Sequence, residues 1–175
     1  MIELTKEECV ESFPNSSFPK QEGEPTYKKI KHIHRLAAKN ETSIEIKRGG
    51  GQHRPIVLDP NTHHALTGST FVAPTNPGPV PVIAGTARSA AIAAQESAHK
   101  EHLRECKEHK AVGKAIIQLT TNAFEPKHLS HLHNQHTGYN DVTDLQVFQH
   151  LFRTHGNIIE LELIENKQKL KTPWN

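Results

Sequence analysis

With 34% hydrophobic and 5% aromatic residues in 175, and with eleven prolines and ten glycines mostly in its first half, the chain has material for one modest core concentrated in the second half. Twenty-one lysines and arginines against nineteen aspartates and glutamates leave a formal charge of +2, which excludes a chain devoted to coating phosphates. Fourteen histidines add positive charge only towards acid, since an unperturbed imidazole titrates near ~6.5.

The two cysteines, Cys9 and Cys106, lie far apart and outside any C-x-x-C, so neither a disulfide framework nor a zinc finger is written here. No apolar run approaches the ~20 residues that span a bilayer. The start, MIELTKEECVESF, lacks the basic and apolar regions of a signal peptide. The expectation is a soluble, cytoplasmic chain.

Residues 1–24 are polar, proline-punctuated and aperiodic, and read as a flexible or loosely docked arm that Phe13 and Phe18 pin locally. Pro25 and Thr26 then open a short amphipathic helix in which Tyr27, Ile30, Ile33 or His34, and Ala37 recur at helical spacing, with Asn40 as its stop. Lys28, Lys29, Lys31, Arg35 and Lys39 ride mostly on its other side, as a solvated face or as nucleic-acid contacts. Ile44 and Ile46 alternate before the triplet Gly49–Gly51 and the run PIVL, which allows a small hairpin. The triplet fits neither a phosphate loop nor G-x-G-x-x-G, because Arg54 stands at the third glycine's place.

Asp59, Pro60 and Gly68 are the cap, first residue and stop of a helix of one or two turns. The stretch TFVAPTNPGPVPVIAG is an extended connector. From Thr86 to Phe124 alanine, glutamate, lysine and glutamine run on without a proline, the strongest helix signal in the chain, with Gly113 as a place where it bends or breaks. Pro126 begins a single short helix marked by Leu129 and Leu132, ended by the Thr137-Gly138 turn. Asp141 caps a helix carrying Val142, Leu145, Phe148, Leu151 and Phe152 up to His155-Gly156. A last helix, capped by Asn157 with Ile159, Leu163 and Leu170 inward, stops at Pro173. The organisation expected is an arm over 1–24, a short helix with a Gly/Pro-rich extended segment over 25–85, and a helical unit of four or five helices with one long member over 86–175. The fold class is mainly α.

The segment HKEHLRECKEH puts His99, His102, Cys106 and His109 on one helical stripe about 80° wide, yet spreads its ends over roughly 15 Å. Zinc donors sit about 2.0–2.3 Å from the ion, so one ion cannot use all four. A pair such as His102 and Cys106 would need ligands from elsewhere, and His128 and His131 of HLSHLHNQH are the available ones. That group, which also holds His133 and His136, contains no H-E-x-x-H. Cys106 has no local signature for an oxyanion hole or an orienting group, and Glu101 with Glu105 reads as a charged helix face beside Lys100 and Arg104. The residues thus give no coherent catalytic group and no cofactor. The stripe is a polar face of a scaffold helix, a pH-sensitive contact surface being one use of it.

The ordered blocks EGEPTY (Glu22 to Tyr27), GGGQH (Gly49 to His53), NPGPVPVI (Asn76 to Ile83), TGYNDVT (Thr137 to Thr143), HLFRTHGNI (His150 to Ile158) and the final KLKTPWN together resemble the N-terminal Gag-like region of copia-type retrotransposon polyproteins of algae and other protists. Ile159 and Glu162 replace a Thr-x-x-Asp box, and His155 stands where a tyrosine is usual. The resemblance implies a helical capsid-type domain that self-associates, packages element RNA, and is followed by further domains; the stop just after Trp174 fits a fragment or a truncated copy. Assembly or core faces are expected at Ile116, Leu119, Leu145, Phe148, Leu151 and Phe152, and RNA contacts at Lys28, Lys29, Lys31 and Arg35. The competing expectations are a histidine-rich metal-binding module or metal-dependent hydrolase, and a small nucleic-acid-binding module.

Overall fold

A computed structural model describes residues 5–46, 53, 56–81, 89–156 and 167, and among these the chain is mainly helical, with no strand. In order they form α1 (Lys6–Ser12), α2 (Tyr27–Ser43), α3 (Pro60–Thr67), α4 (Ser89–Ala123), α5 (Pro126–Leu129), which tightens into a 3-10 turn over Ser130–Leu132, and α6 (Asp144–His155). Apart from Lys167, the proposed last helix, together with the glycine triplet and most of the proposed hairpin, lies outside the described residues.

Of the segment read as a flexible or loosely docked arm, residues 5–24 are docked on the helical body. Thr5 and Glu8 form a reciprocal capping box: the Thr5 N–H donates to the Glu8 carboxylate at 2.7 Å and the Glu8 N–H to the Thr5 hydroxyl at 3.2 Å. This satisfies two of the donors that a helix start leaves open. Cys9, Phe13 and Phe18 are buried in the main core, and α1 packs on α4. Farther on, the Gln21 N–H donates to the Ala123 carbonyl at 2.7 Å, tying the segment to the end of α4.

α2 starts at its Thr26 cap but runs past Asn40, the expected stop. Asn40 is fully buried, because its amide clasps Asn15: its Oδ1 accepts from the Asn15 N–H and Nδ2, and its Nδ2 donates to the Asn15 carbonyl at 2.8 Å. A polar side chain whose donors and acceptor are all met can sit inside a helix and mimic nothing of a stop. Ile30, Ile33 and Ala37 are buried, and His34 stands edge-on to Phe148, ring centroids 4.8 Å apart, so both candidate positions at that turn face inward.

α3 follows its sequence signals closely. Asp59 accepts from the Asn61 and Thr62 N–H groups, Pro60 is the first residue, and Gly68 closes the helix at φ 71°, a left-handed conformation that glycine adopts without a Cβ penalty. α4 is continuous through Gly113. A mid-helix glycine costs only about 1 kcal/mol relative to alanine, and buried Val112, Ala115 and Ile116 around it outweigh that. At 1.5 Å per residue the helix is about 50 Å long. α2 and α6 pack against it and against each other, and α5 packs on α6.

The cap of α6 also moves. Thr143, not Asp141, is the N-cap and forms a box with Gln146, while Asp141 accepts from the Thr137 hydroxyl at 2.7 Å and steadies the preceding turn. Gly156 ends the helix as expected, its N–H reaching the Phe152 carbonyl.

Candidate functional site

The histidine stripe of α4 divides along its length. His99 and His102 are half-buried and Cys106 is buried. His109 lies against His53, the rings stacked with centroids 5.1 Å apart and the two Nδ1 atoms 2.9 Å apart. One Nδ1 must therefore carry the proton and the other the lone pair. The pair is flanked by Phe71, which is tilted against His109 at 5.8 Å and itself meets the buried His63 at 5.9 Å. Burial, with the neighbouring His109 adding to it, pushes His53 down to about 4, and burial lowers His109 as well. These imidazoles are neutral structural groups at neutral pH. Glu101 is held by Arg104, which also reaches Glu108 at 2.6 Å; Glu101 and Arg104 are half-buried and Glu105 is buried, so of the expected charged face only Lys100 is exposed. Burial and nearby glutamates raise the Cys9 thiol to about 11.

The four residues weighed as metal ligands, His102, Cys106, His128 and His131, do not come together. Among the described residues the one set of three donor groups close enough to share an ion is Glu24, His128 and His155, whose donor atoms all lie within 4.8 Å of one another. Three elements build it. The 22–24 loop turns at Gly23 with φ 71°, and its shape is held by the Gly23 N–H to Glu125 at 2.7 Å and by Lys29 Nζ to the Glu22 and Glu24 carbonyls. α5 supplies His128, which contacts the Gly23 carbonyl through Nε2 at 3.1 Å, while His150 Nε2 lies 3.0 Å from the His128 carbonyl. α6 ends on His155, whose Nδ1 is 3.2 Å from Glu24 Oε2 and whose ring stands perpendicular to that of His128.

The basic side of α2 is the third arrangement. Lys28, Lys31, Arg35 and Lys39 are exposed, and their spacings of three and four residues line them along about 16 Å of one helix face. Lys31 lies over the Tyr27 ring, 5.4 Å from its centroid. Lys29 departs from the expected set, being engaged by the backbone of the 22–24 loop. A cleft of about 500 Å³ between α1, α4 and the turn after α5 is lined by Lys6, Lys114, Thr121, Tyr139 and Asn140 among others.

No family model, curated protein or solved structure matches this chain. The function therefore has to be read from its own residues. Of the six residues expected on assembly or core faces, Ile116, Leu119, Phe148 and Leu151 are buried within the chain, and Leu145 and Phe152 are half-buried. The four buried ones belong to the core, and Phe152 packs against it. Sequence reasoning missed Glu24 and His155 as partners of His128. Nothing local links the three: the contact between Gly23 and His128 alone joins positions 105 apart. What could have pointed to it is that Glu24 and His155 fall in two of the blocks that carry the resemblance.

Proposed function

We propose that this chain is a non-catalytic structural protein of the Gag-like type, self-associating and holding RNA. The observation that carries the reading is that the resembling blocks meet in space. In the block Glu22–Tyr27, Tyr27 packs on Phe152 with ring centroids 5.6 Å apart and Glu24 meets His155; both partners belong to the block that starts at His150. The block Thr137–Thr143 forms the turn and the cap that launch α6. Blocks spread along the sequence but joined in one helical body support a shared architecture rather than scattered identity.

The exposed cations of α2 suit a phosphate backbone, which is recognised chiefly by charge, and the chain's balanced net charge suits a protein that does more than neutralise it. Association is left to surfaces outside the core, among them the exposed start of α4 with Ile92. Sedimentation of the purified chain over a concentration series, with and without single-stranded RNA, tests the reading. Multimers that grow with concentration and with RNA are expected. Reversing charge at Lys28, Lys31 and Arg35 should weaken RNA binding and flatten its salt dependence. A chain that stays monomeric throughout, or binding indifferent to the three substitutions, would overturn the assembly or the RNA half of the reading respectively.

A further inference from the structure

We propose that Glu24, His128 and His155 form a binding site for one divalent transition-metal cation, with zinc as its natural probe. Two nitrogens and one carboxylate oxygen are a donor set that zinc accepts with three protein ligands and one open position. The spacing already fits. Donors about 2.05 Å from a tetrahedral ion stand about 3.3 Å apart, and Glu24 Oε2 lies 3.2 Å from His155 Nδ1. The ion would stand between these two atoms. The third donor, on His128, lies within 4.8 Å of both, so closing the set asks for a side-chain movement on the order of 1.5 Å.

The surroundings resemble those that orient metal ligands. His128 contacts the Gly23 carbonyl through one ring nitrogen, the kind of outer contact that fixes an imidazole's tautomer and leaves its other nitrogen a lone pair. The loop carrying Glu24 is held on both sides, by Glu125 at the Gly23 N–H and by Lys29 at the carbonyls. Two ammonium groups stand near, but both are engaged: Lys29 by those carbonyls and Lys127 by Glu125 at 2.7 Å. The stacked His53 and His109, although closer together, acquire no third donor among the described residues, which separates a buried pair from a site. His155 stands where the resemblance expects tyrosine, so the site would be a property of this chain's own sequence.

The test uses the full, untagged chain, stripped with a chelator and titrated with Zn²⁺ against a chromogenic competitor, with Co²⁺ absorption reporting coordination. One ion per chain is expected. Glu24→Gln and His155→Tyr should each weaken it by about tenfold or more, while the double substitution His133→Gln with His136→Gln, both exposed, leaves it unchanged. Because the Glu24 side chain is 78% exposed, Glu24→Gln keeps the fold, which circular dichroism verifies, and its result decides the matter even if a histidine variant unfolds. Absence of stoichiometric Zn²⁺, or binding that Glu24→Gln leaves within about twofold, would overturn the site and assign any retained metal to the chain's many surface histidines.

Discussion

The two ends of α4 share one helix and one composition yet live in different solvents. From Ser89 to Leu103 its residues are exposed or half-buried, whereas from Glu105 onward it lays Cys106, Val112, Ala115, Ile116, Leu119 and Ala123 into the core. The outer part stands on alanine-rich propensity, and around its junction with the inner part Arg104 bridges Glu101 and Glu108. The inner part stands on burial. Propensity can therefore draw a helix, but contact with other elements decides which stretch of it holds the fold, and the inner end is where stability and titration concentrate.

The largest effect expected is on pH dependence, because two buried groups on or against the inner end titrate in opposite senses. Asp144 is fully buried where α6 meets α4, and burial pushes its carboxyl up to about 7 against a smaller downward pull from the Thr120 hydroxyl. Its folded value exceeds the ordinary 3.8, so its contribution is complete below about 4 and is lost as pH rises through about 7, an effect on the order of 4 kcal/mol. His53 is lowered to about 4; its contribution is complete above about 6.5 and is lost as pH falls towards 4. Urea unfolding at several pH values separates them. Asp144→Asn should leave stability falling steadily from pH 7 to 4, and His53→Phe should leave it rising over the same range. Identical profiles for the two variants would show that neither group carries the dependence.

Next in size is a matched pair along α4. Ile116→Ala, at a fully buried position, should cost about 2–5 kcal/mol, and Ile92→Ala, on the exposed end, should stay within about 0.5 kcal/mol, both read from the urea midpoint. Equal costs would erase the contrast between the ends. The smallest effect is a gain. Gly113 has no positive φ, and a Cβ there would meet only the Ile56 Cδ1 at 4.0 Å, so Gly113→Ala should raise stability by about 0.5–1 kcal/mol. A loss would reveal crowding on the inner end that this spacing does not contain.

How much of this was legible depended on how local each signal was. α3 was written in full by Asp59, Pro60 and Gly68, because a cap, a first-turn proline and a left-handed stop act on their own neighbours. Thr5 and Glu8 wrote a capping box just as plainly, yet the prolines around them suggested an arm. What docks α1 is Cys9, Phe13 and Phe18 meeting α4 and its neighbours, partners no window on the sequence includes. Asp141 and Thr143 competed for one cap, and the Thr143–Gln146 box took it while Asp141 served Thr137. Asn40 carried the usual mark of an end and became a buried clasp instead, because Asn15 supplied what water would have. The candidate metal site was the least legible. Histidines were easy to count along α4, but a cluster needs convergence, and His128 finds its companions in the 22–24 loop and at the end of α6.

The way Gly23 is held, by Glu125 on its N–H and His128 on its carbonyl, sets an order of events at the ribosome. The partners of Gly23 are made 102 and 105 residues later, which at 5–20 residues per second is about 5–20 s of synthesis. Through most of that interval Phe13, Phe18 and Cys9 lack the α4 side of their core, and the loop of Glu24 has no α5 to close on. The segment around Gly23 is made well before its partners, so the window in which it is open to chaperones, proteases or a neighbouring nascent copy is set by the distance between Gly23 and His128.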